Sequence, residues 1–164
     1  MRFLKLANDG VDFTGKSIGR KASFFIGGSG NPNANPLDPE LRLMRRKVEA
    51  GAHFFMTQNL FDEKTLETYL EKTARFERPV IIGVLPLHNS RHAEFLHNEV
   101  PGMVIPEAVR ERMRKAGDEG GPKEGQAIAR DLIAICREKA AGVYLVPSFG
   151  RYDIVAELVA ATKR

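Results

Sequence analysis

Residues 47–62, KVEAGAHFFMTQNLFD, carry a helix end, a glycine turn at Gly51, an apolar strand over 53–57, and a polar residue, Gln58, where that strand runs out. In a parallel α/β sheet, ligands bind at the C-terminal ends of the strands. An amide placed there can donate and accept at once. The same strand-end pattern returns at Pro86 and at Pro147. The repetition predicts an α/β enzyme or a piece of one.

Upstream, residues 2–9 read as the tail of a helix closed by Gly10. Residues 23–27, SFFIG, form a continuous apolar run of the kind found in buried strands. A Gly/Asn/Pro-rich loop follows, and Asp38-Pro39-Glu40 starts a helix, with Asp as the N-cap and Pro at the first helical position. Leu41, Met44 and Val48 recur there at helical spacing. Downstream, Asp62 caps a helix carrying Leu66, Tyr69, Leu70 and Phe76. A third strand lies over 79–85, PVIIGVL, and a short helix over 90–98. Residues 106–115 and 126–139 read as two helices joined by a flexible loop, GDEGGPKEG. The fourth strand lies over 143–146 and a closing helix over 154–161. Helices between successive strands require right-handed parallel crossovers. The result is an α/β chain of about four parallel strands with helices, half of a (β/α)8 barrel or a small open sheet. It is read as one domain over 1–164.

The chain has 164 residues, enough for one domain with a real core. Its net charge of +4 is spread along helical patterns, densest at 42–47 and 110–115. No aromatic-basic motif accompanies those clusters, so they read as solvated helix faces rather than a nucleic-acid surface. The single cysteine, Cys136, excludes an internal disulfide and falls on an apolar helix face with Leu132 and Ile133, which predicts a buried structural thiol. No apolar run reaches the length of a membrane span, and the N-terminus lacks a signal-peptide pattern. A cytoplasmic protein is expected.

Neither a dinucleotide-binding glycine motif opening a helix, nor a phosphate loop, nor a zinc-protease motif is present. His88 and His92 are four apart, but the sequence places no carboxylate or third ligand with them, so no metal site is expected. His53 opens a strand and reads as a packing or edge residue. Gln58 is the best candidate from position alone. Lys47, near a helix C-terminus, is explained by the helix dipole unless something else singles it out.

Something else does. The stretch SFFIGGSGNPNANPLDPELRLMRRKVEAGAHFFMTQNLFD resembles the methylenetetrahydrofolate reductase family. So do PVIIGVLPLHNSRHAEFLHNEVPGMVIP and the ending GVYLVPSFGRYDIVAELV. The wording is most similar to the reductase part of bacterial fusions with homocysteine methyltransferase. The resemblance implies a flavoprotein barrel with FAD across the C-terminal strand ends. It implies that NAD(P)H is the reductant and that the folate substrate, 5,10-methylenetetrahydrofolate, becomes 5-methyltetrahydrofolate, in one-carbon metabolism and methionine biosynthesis. It assigns Lys47 to the FAD phosphates, Asn31 and Asn33 to the loop approaching the flavin, and Glu40 to the ribose or adenosine. Gln58 is assigned to the pterin. His92 and Leu96 align with positions that contact folate or nicotinamide in some relatives, where those have Gln and Phe. Leu145 and Ser148 fall on the last strand end.

The resemblance covers the C-terminal half of the family's barrel. The family's acid and its flavin-side aspartate match no residue here, so the catalytic residues are unknown. A half barrel is expected to leave its inner face, assigned to Phe25, Phe55 and Ile82, open to water together with two sheet edges. That predicts a homo-oligomer or a complementary half-barrel chain as partner. The alternatives to a working reductase are a flavin- or folate-binding module and a non-catalytic remnant subunit.

Overall fold

The computed structural model describes residues 1–162. Four parallel strands lie in the order of the chain: β1 (Gly27–Gly30), β2 (Phe54–Asn59), β3 (Val80–Val84) and β4 (Gly142–Leu145). Helix α1 (Arg2–Asp9) precedes them. Between β1 and β2 runs α2 (Asp38–Glu49), and between β2 and β3 runs α3 (Glu63–Thr73). Between β3 and β4 lie α4 (Ser90–Glu99) and α5 (Glu107–Lys139), and α6 (Tyr152–Thr162) closes the chain. This is the α/β architecture of the C-terminal half of a (β/α)8 barrel, with helices packed on one face of the sheet.

Local chemistry explains most element ends. The Asp62 side chain accepts from the Thr65 N–H at 2.9 Å and so caps α3. Asn89 caps α4 in the same way, accepting from the His92 N–H at 2.9 Å. Gly10 closes α1 in the left-handed conformation, φ 83°. Helix α2 begins one residue earlier than its expected cap, with Leu37 as N-cap and Asp38 already in the first turn.

The main core lies between the sheet and its helices. Met44, Phe55, Leu66, Tyr69, Ile82 and Cys136 are buried there. Burial pushes the Cys136 thiol up to about 11, the behaviour of an inert packing group. A second cluster, with Phe61, Leu87, Leu96, Ile105 and Met113, lies under α4 and the first half of α5.

Three expectations are corrected. The apolar run at 23–27 is not the first strand. Phe25, expected to be open to water, is 73% exposed, stacked at 5.0 Å on the rings of His53 and Phe54, but it lies ahead of the strand and not in it. The strand is the following GGSG, because its neighbours already fill the space side chains would take. A Cβ on Gly27 would stand 2.6 Å from the Phe54 ring, and one on Gly30 2.0 Å from the Tyr69 hydroxyl. Second, Phe55 and Ile82 do not face the inside of the barrel. Both are fully buried against the helices, so Phe54, Met56, Ile81 and Tyr144 belong to the inner face. A strand alternates sides at every residue, and a misread phase exchanges its faces.

Third, residues 118–125 are not a flexible loop. Helix α5 runs through them, broken only at Gly117 (φ 67°, ψ −175°). Gly121 and Gly125, one turn apart, let the helix lie directly on the backbone after β3. A Cβ at Gly125 would stand 1.8 Å from the Leu87 carbonyl oxygen, and one at Gly121 2.6 Å from that of His88. These glycines are contact residues.

Candidate functional site

An open cavity of about 440 Å³ lies at the C-terminal ends of β1 and β2. Ser29, Asn31, Glu40, Lys47, Gln58 and Tyr144 are among its lining residues. Four of these, Asn31, Glu40, Lys47 and Gln58, were singled out from the sequence, and the fold brings them together.

The Glu40 carboxylate accepts from the Asn31 N–H at 3.1 Å, which holds the loop after β1 against α2. Asn31 in turn accepts from the Asn33 N–H at 3.0 Å. The Asn33 amide donates to the carbonyls of Asn59 (2.9 Å) and Gly102 (3.1 Å). Asn33 therefore ties three segments at the cavity rim and is not among its lining residues. Gly102 has φ 79°, and a Cβ there would stand 3.0 Å from the Asn31 amide nitrogen, so both conformation and space require glycine.

The Lys47 ammonium donates to the Ser29 carbonyl at 2.6 Å and its hydroxyl at 3.2 Å. Ile26 O accepts from His53 N, so the residues of that parity in β1 face β2 and Ser29 O faces the outer edge. Lys47 thus caps an edge carbonyl with a cation.

Strand β2 is irregular where the site begins. Met56 pairs with Ile81 and Asn59 with Gly83, so Thr57 and Gln58 together stand opposite Ile82. This is a β-bulge, a device that re-aims side chains beside binding sites. The Thr57 hydroxyl takes over a ladder position, accepting from the Gly83 N–H at 3.0 Å. The Gln58 side-chain oxygen accepts from the Asn59 N–H at 3.1 Å. That bond fixes the amide's orientation and leaves its NH2 group outward. The Tyr144 hydroxyl reaches over Gly83 to donate to Thr57 O at 2.5 Å. Burial raises the pKa of Tyr144, so its phenol stays a donor.

His92 and Leu96 lie elsewhere. Leu96 is buried in the second core cluster. His92 Nδ1 accepts from the His88 N–H at 3.2 Å, and its ring packs 4.8 Å from Phe149. Burial, aided by the nearby His88, lowers the His92 pKa and favours the neutral ring. Neither residue lines the cavity. Nor do Leu145, which packs against the main core, and Ser148, whose hydroxyl donates to Pro86 O at 2.7 Å.

Sequence reading missed Tyr144, Gly102 and Ser29. The inner phase of β4 would have given Tyr144, and the Pro101-Gly102 turn was a signal for the second. Among the described residues no three His, Cys, Asp or Glu side chains converge as a metal site, and no helix is long and apolar enough to cross a membrane. The cavity offers an amide, a phenol, a hydroxyl, a cation and a carboxylate engaged with backbone: groups that bind and orient.

A probable methylenetetrahydrofolate reductase (NADPH) of Caenorhabditis elegans is 28% identical over 92 residues, taking in 50% of this chain and 14% of that protein. The chain thus spans a small part of this curated relative. Among solved structures, an uncharacterized protein from Clostridium thermocellum that binds two copies of 5-methyl-5,6,7,8-tetrahydrofolic acid superposes with a TM-score of 0.56 at 19% identity. The match covers 85% of this chain and 53% of that one, and at such identity it shows a shared fold. The sequence model for methylenetetrahydrofolate reductase matches residues 18–157, nearly the whole chain and all four strands. The chain belongs to the methylenetetrahydrofolate reductase family.

Proposed function

We propose that this chain supplies the β1–β2 strand-end part of a site that reduces 5,10-methylenetetrahydrofolate to 5-methyltetrahydrofolate, with FAD as cofactor and NAD(P)H as reductant. The observation that carries the reading is the gathering of Asn31, Glu40, Lys47 and Gln58 around one cavity at the strand ends. The Clostridium thermocellum protein of the same fold binds a reduced folate, which supports folate as the ligand class here.

The donor set fits part of FAD. A lysine ammonium beside the Ser29 hydroxyl suits a diphosphate, because a point cation and a hydroxyl donor both meet anionic oxygens. When bound, the flavin supplies the hydride-transfer chemistry. The chain's own groups do the positioning. Gln58 offers its NH2 group to an acceptor on the pterin ring, since its oxygen is held by Asn59 N–H. Asn33 and Gly102 hold the rim in shape.

The outer edges of β1 and β4 pair with no strand among the described residues. We infer that a second copy or a complementary half-barrel chain covers them in the working assembly. A second reading, a flavin- or folate-binding module without reductase activity, draws support from the cavity lining, where among the described residues the one carboxylate, Glu40, accepts from the Asn31 N–H and so holds the loop after β1.

The test is an absorbance spectrum of the purified protein after incubation with FAD and passage through a sizing column. A retained flavin band, bleached by NAD(P)H and restored by methylenetetrahydrofolate, supports the reductase. Retained flavin without turnover supports the binding module. No retained flavin, alone or with a complementary chain, overturns the reductase and the flavin-binding module and leaves folate binding as the reading to titrate.

A further inference from the structure

Asn59 is 4% exposed, yet its side-chain oxygen has no hydrogen-bond partner among the described residues. A buried acceptor left unpaired is costly, so its retention calls for a partner. The bulge at Thr57 and Gln58 is what puts it there. With unbroken alternation Asn59 would share the helix-facing side with Phe55; the extra residue brings it into register with Gly83 on the inner face.

The surroundings are specific. The point where a Cβ on Gly83 would sit lies 2.7 Å from the Asn59 oxygen and 2.6 Å from the Tyr144 hydroxyl. Tyr144 lines the cavity and Asn59 does not, and both meet at Gly83, so we take the phenol to stand between the Asn59 amide and the cavity. Beside it, Gln58 presents an NH2 group. An acceptor and a donor on neighbouring residues match a ring edge that carries a donor next to an acceptor, as a 2-amino-4-oxopyrimidine does.

We propose that Asn59 is a ligand-binding residue: its side-chain oxygen accepts from the exocyclic amino group of an aminopyrimidinone ring while Gln58 donates to the neighbouring acceptor. The ring displaces the Tyr144 hydroxyl from Thr57 O as it enters, exchanging one hydrogen bond for another. The inference rests on the folate reading above and names which atom of the ring is selected.

The experiment uses the full chain and two probes, 5-methyltetrahydrofolate and its 2-desamino-2-methyl counterpart, titrated by calorimetry. The wild-type chain is expected to prefer the amino compound by about tenfold, the value of one well-placed hydrogen bond. In Asn59→Leu that preference disappears. In Tyr144→Phe, which releases the screening phenol, the amino compound binds severalfold tighter. Equal weakening toward both probes in Asn59→Leu, or an unchanged preference, overturns the assignment. If Asn59→Leu does not fold, an unchanged affinity in Tyr144→Phe overturns it instead. A wild-type chain that binds neither probe, alone and with a complementary half-barrel chain, overturns the folate reading itself, and one that binds both equally overturns only the role of Asn59.

Discussion

The hydroxyl of Tyr144 on β4 donates to the main-chain oxygen of Thr57 on β2, 2.5 Å away, across the intervening strand β3. Only a glycine at position 83 lets the phenol lie flat enough to span it. This bond is therefore a tie across three strands of the sheet's inner face. Tyr144→Phe should lower stability by about 1 kcal/mol. Gly83→Ala should cost more, about 2 kcal/mol, because its Cβ meets the phenol oxygen and the Asn59 oxygen together. Urea unfolding of both variants and of the double variant checks this. Losses in the double variant should be less than additive, since removing the hydroxyl removes one of three close contacts and leaves the Asn59 oxygen at 2.7 Å and the ring carbon at 2.8 Å.

Helix α5 contains glycines whose replacement should act in opposite directions. Gly125→Ala forces a methyl into the Leu87 carbonyl and should cost about 3 kcal/mol or prevent folding. Gly120→Ala meets nothing closer than the Ala116 side chain at 3.6 Å, within the same helix. It should stabilise by about 0.5–1 kcal/mol through the unfolded chain and helix propensity. Thermal melts of the two variants, measured side by side, decide whether 118–125 is helix or loop in solution.

His92 makes stability depend on acidity. Its folded pKa lies below the ordinary 6.5, lowered first by burial and then by His88. Above that ordinary value both folded and unfolded states are neutral and this contribution is complete. As the pH falls below it, the unfolded chain takes up the proton first, so stability drops until the folded ring also titrates. Protonation at Nδ1 would also remove the acceptor for His88 N–H. Denaturant midpoints between neutral and mildly acidic pH should fall in the wild type and fall less in His92→Gln.

Gln58→Ala should weaken folate binding more than flavin binding. Its amide sits at the end of β2, apart from the Lys47 cation that is expected to meet the flavin phosphates. The loss of one neutral hydrogen bond predicts roughly a tenfold rise in folate Kd. Titrating both ligands on the assembled protein tests this, and equal losses would indicate unfolding of the rim.

Much of this was readable from the chain alone. Asp62 announced its helix, Gly10 closed another, and PVIIGVL marked a central strand, because caps and apolar runs act locally. The phase of the strands was not readable. HFFMT is apolar on both sides and gives no alternation to choose between Phe54 and Phe55 as the inner residue. The run SFFIG resembles a core strand, whereas the true strand, GGSG, has no apolar signature at all. Its glycines are set by rings that arrive from β2 and α3. GDEGGPKEG read as a loop for the related reason that composition cannot distinguish glycine needed for a turn from glycine needed for contact. Asn59 and Tyr144 were missed because a bulge and a strand phase brought them to the inner face.

The bond from Lys47 to Ser29 has a consequence for assembly. Ser29 O points to the outer edge of β1, the position a neighbouring strand would use. A carbonyl oxygen can accept twice, so a strand that docks there would share Ser29 O with the ammonium or displace it. Either way the Lys47 cation would stand at the new seam, and the closing of the sheet and the charge lining its cavity are linked through one oxygen.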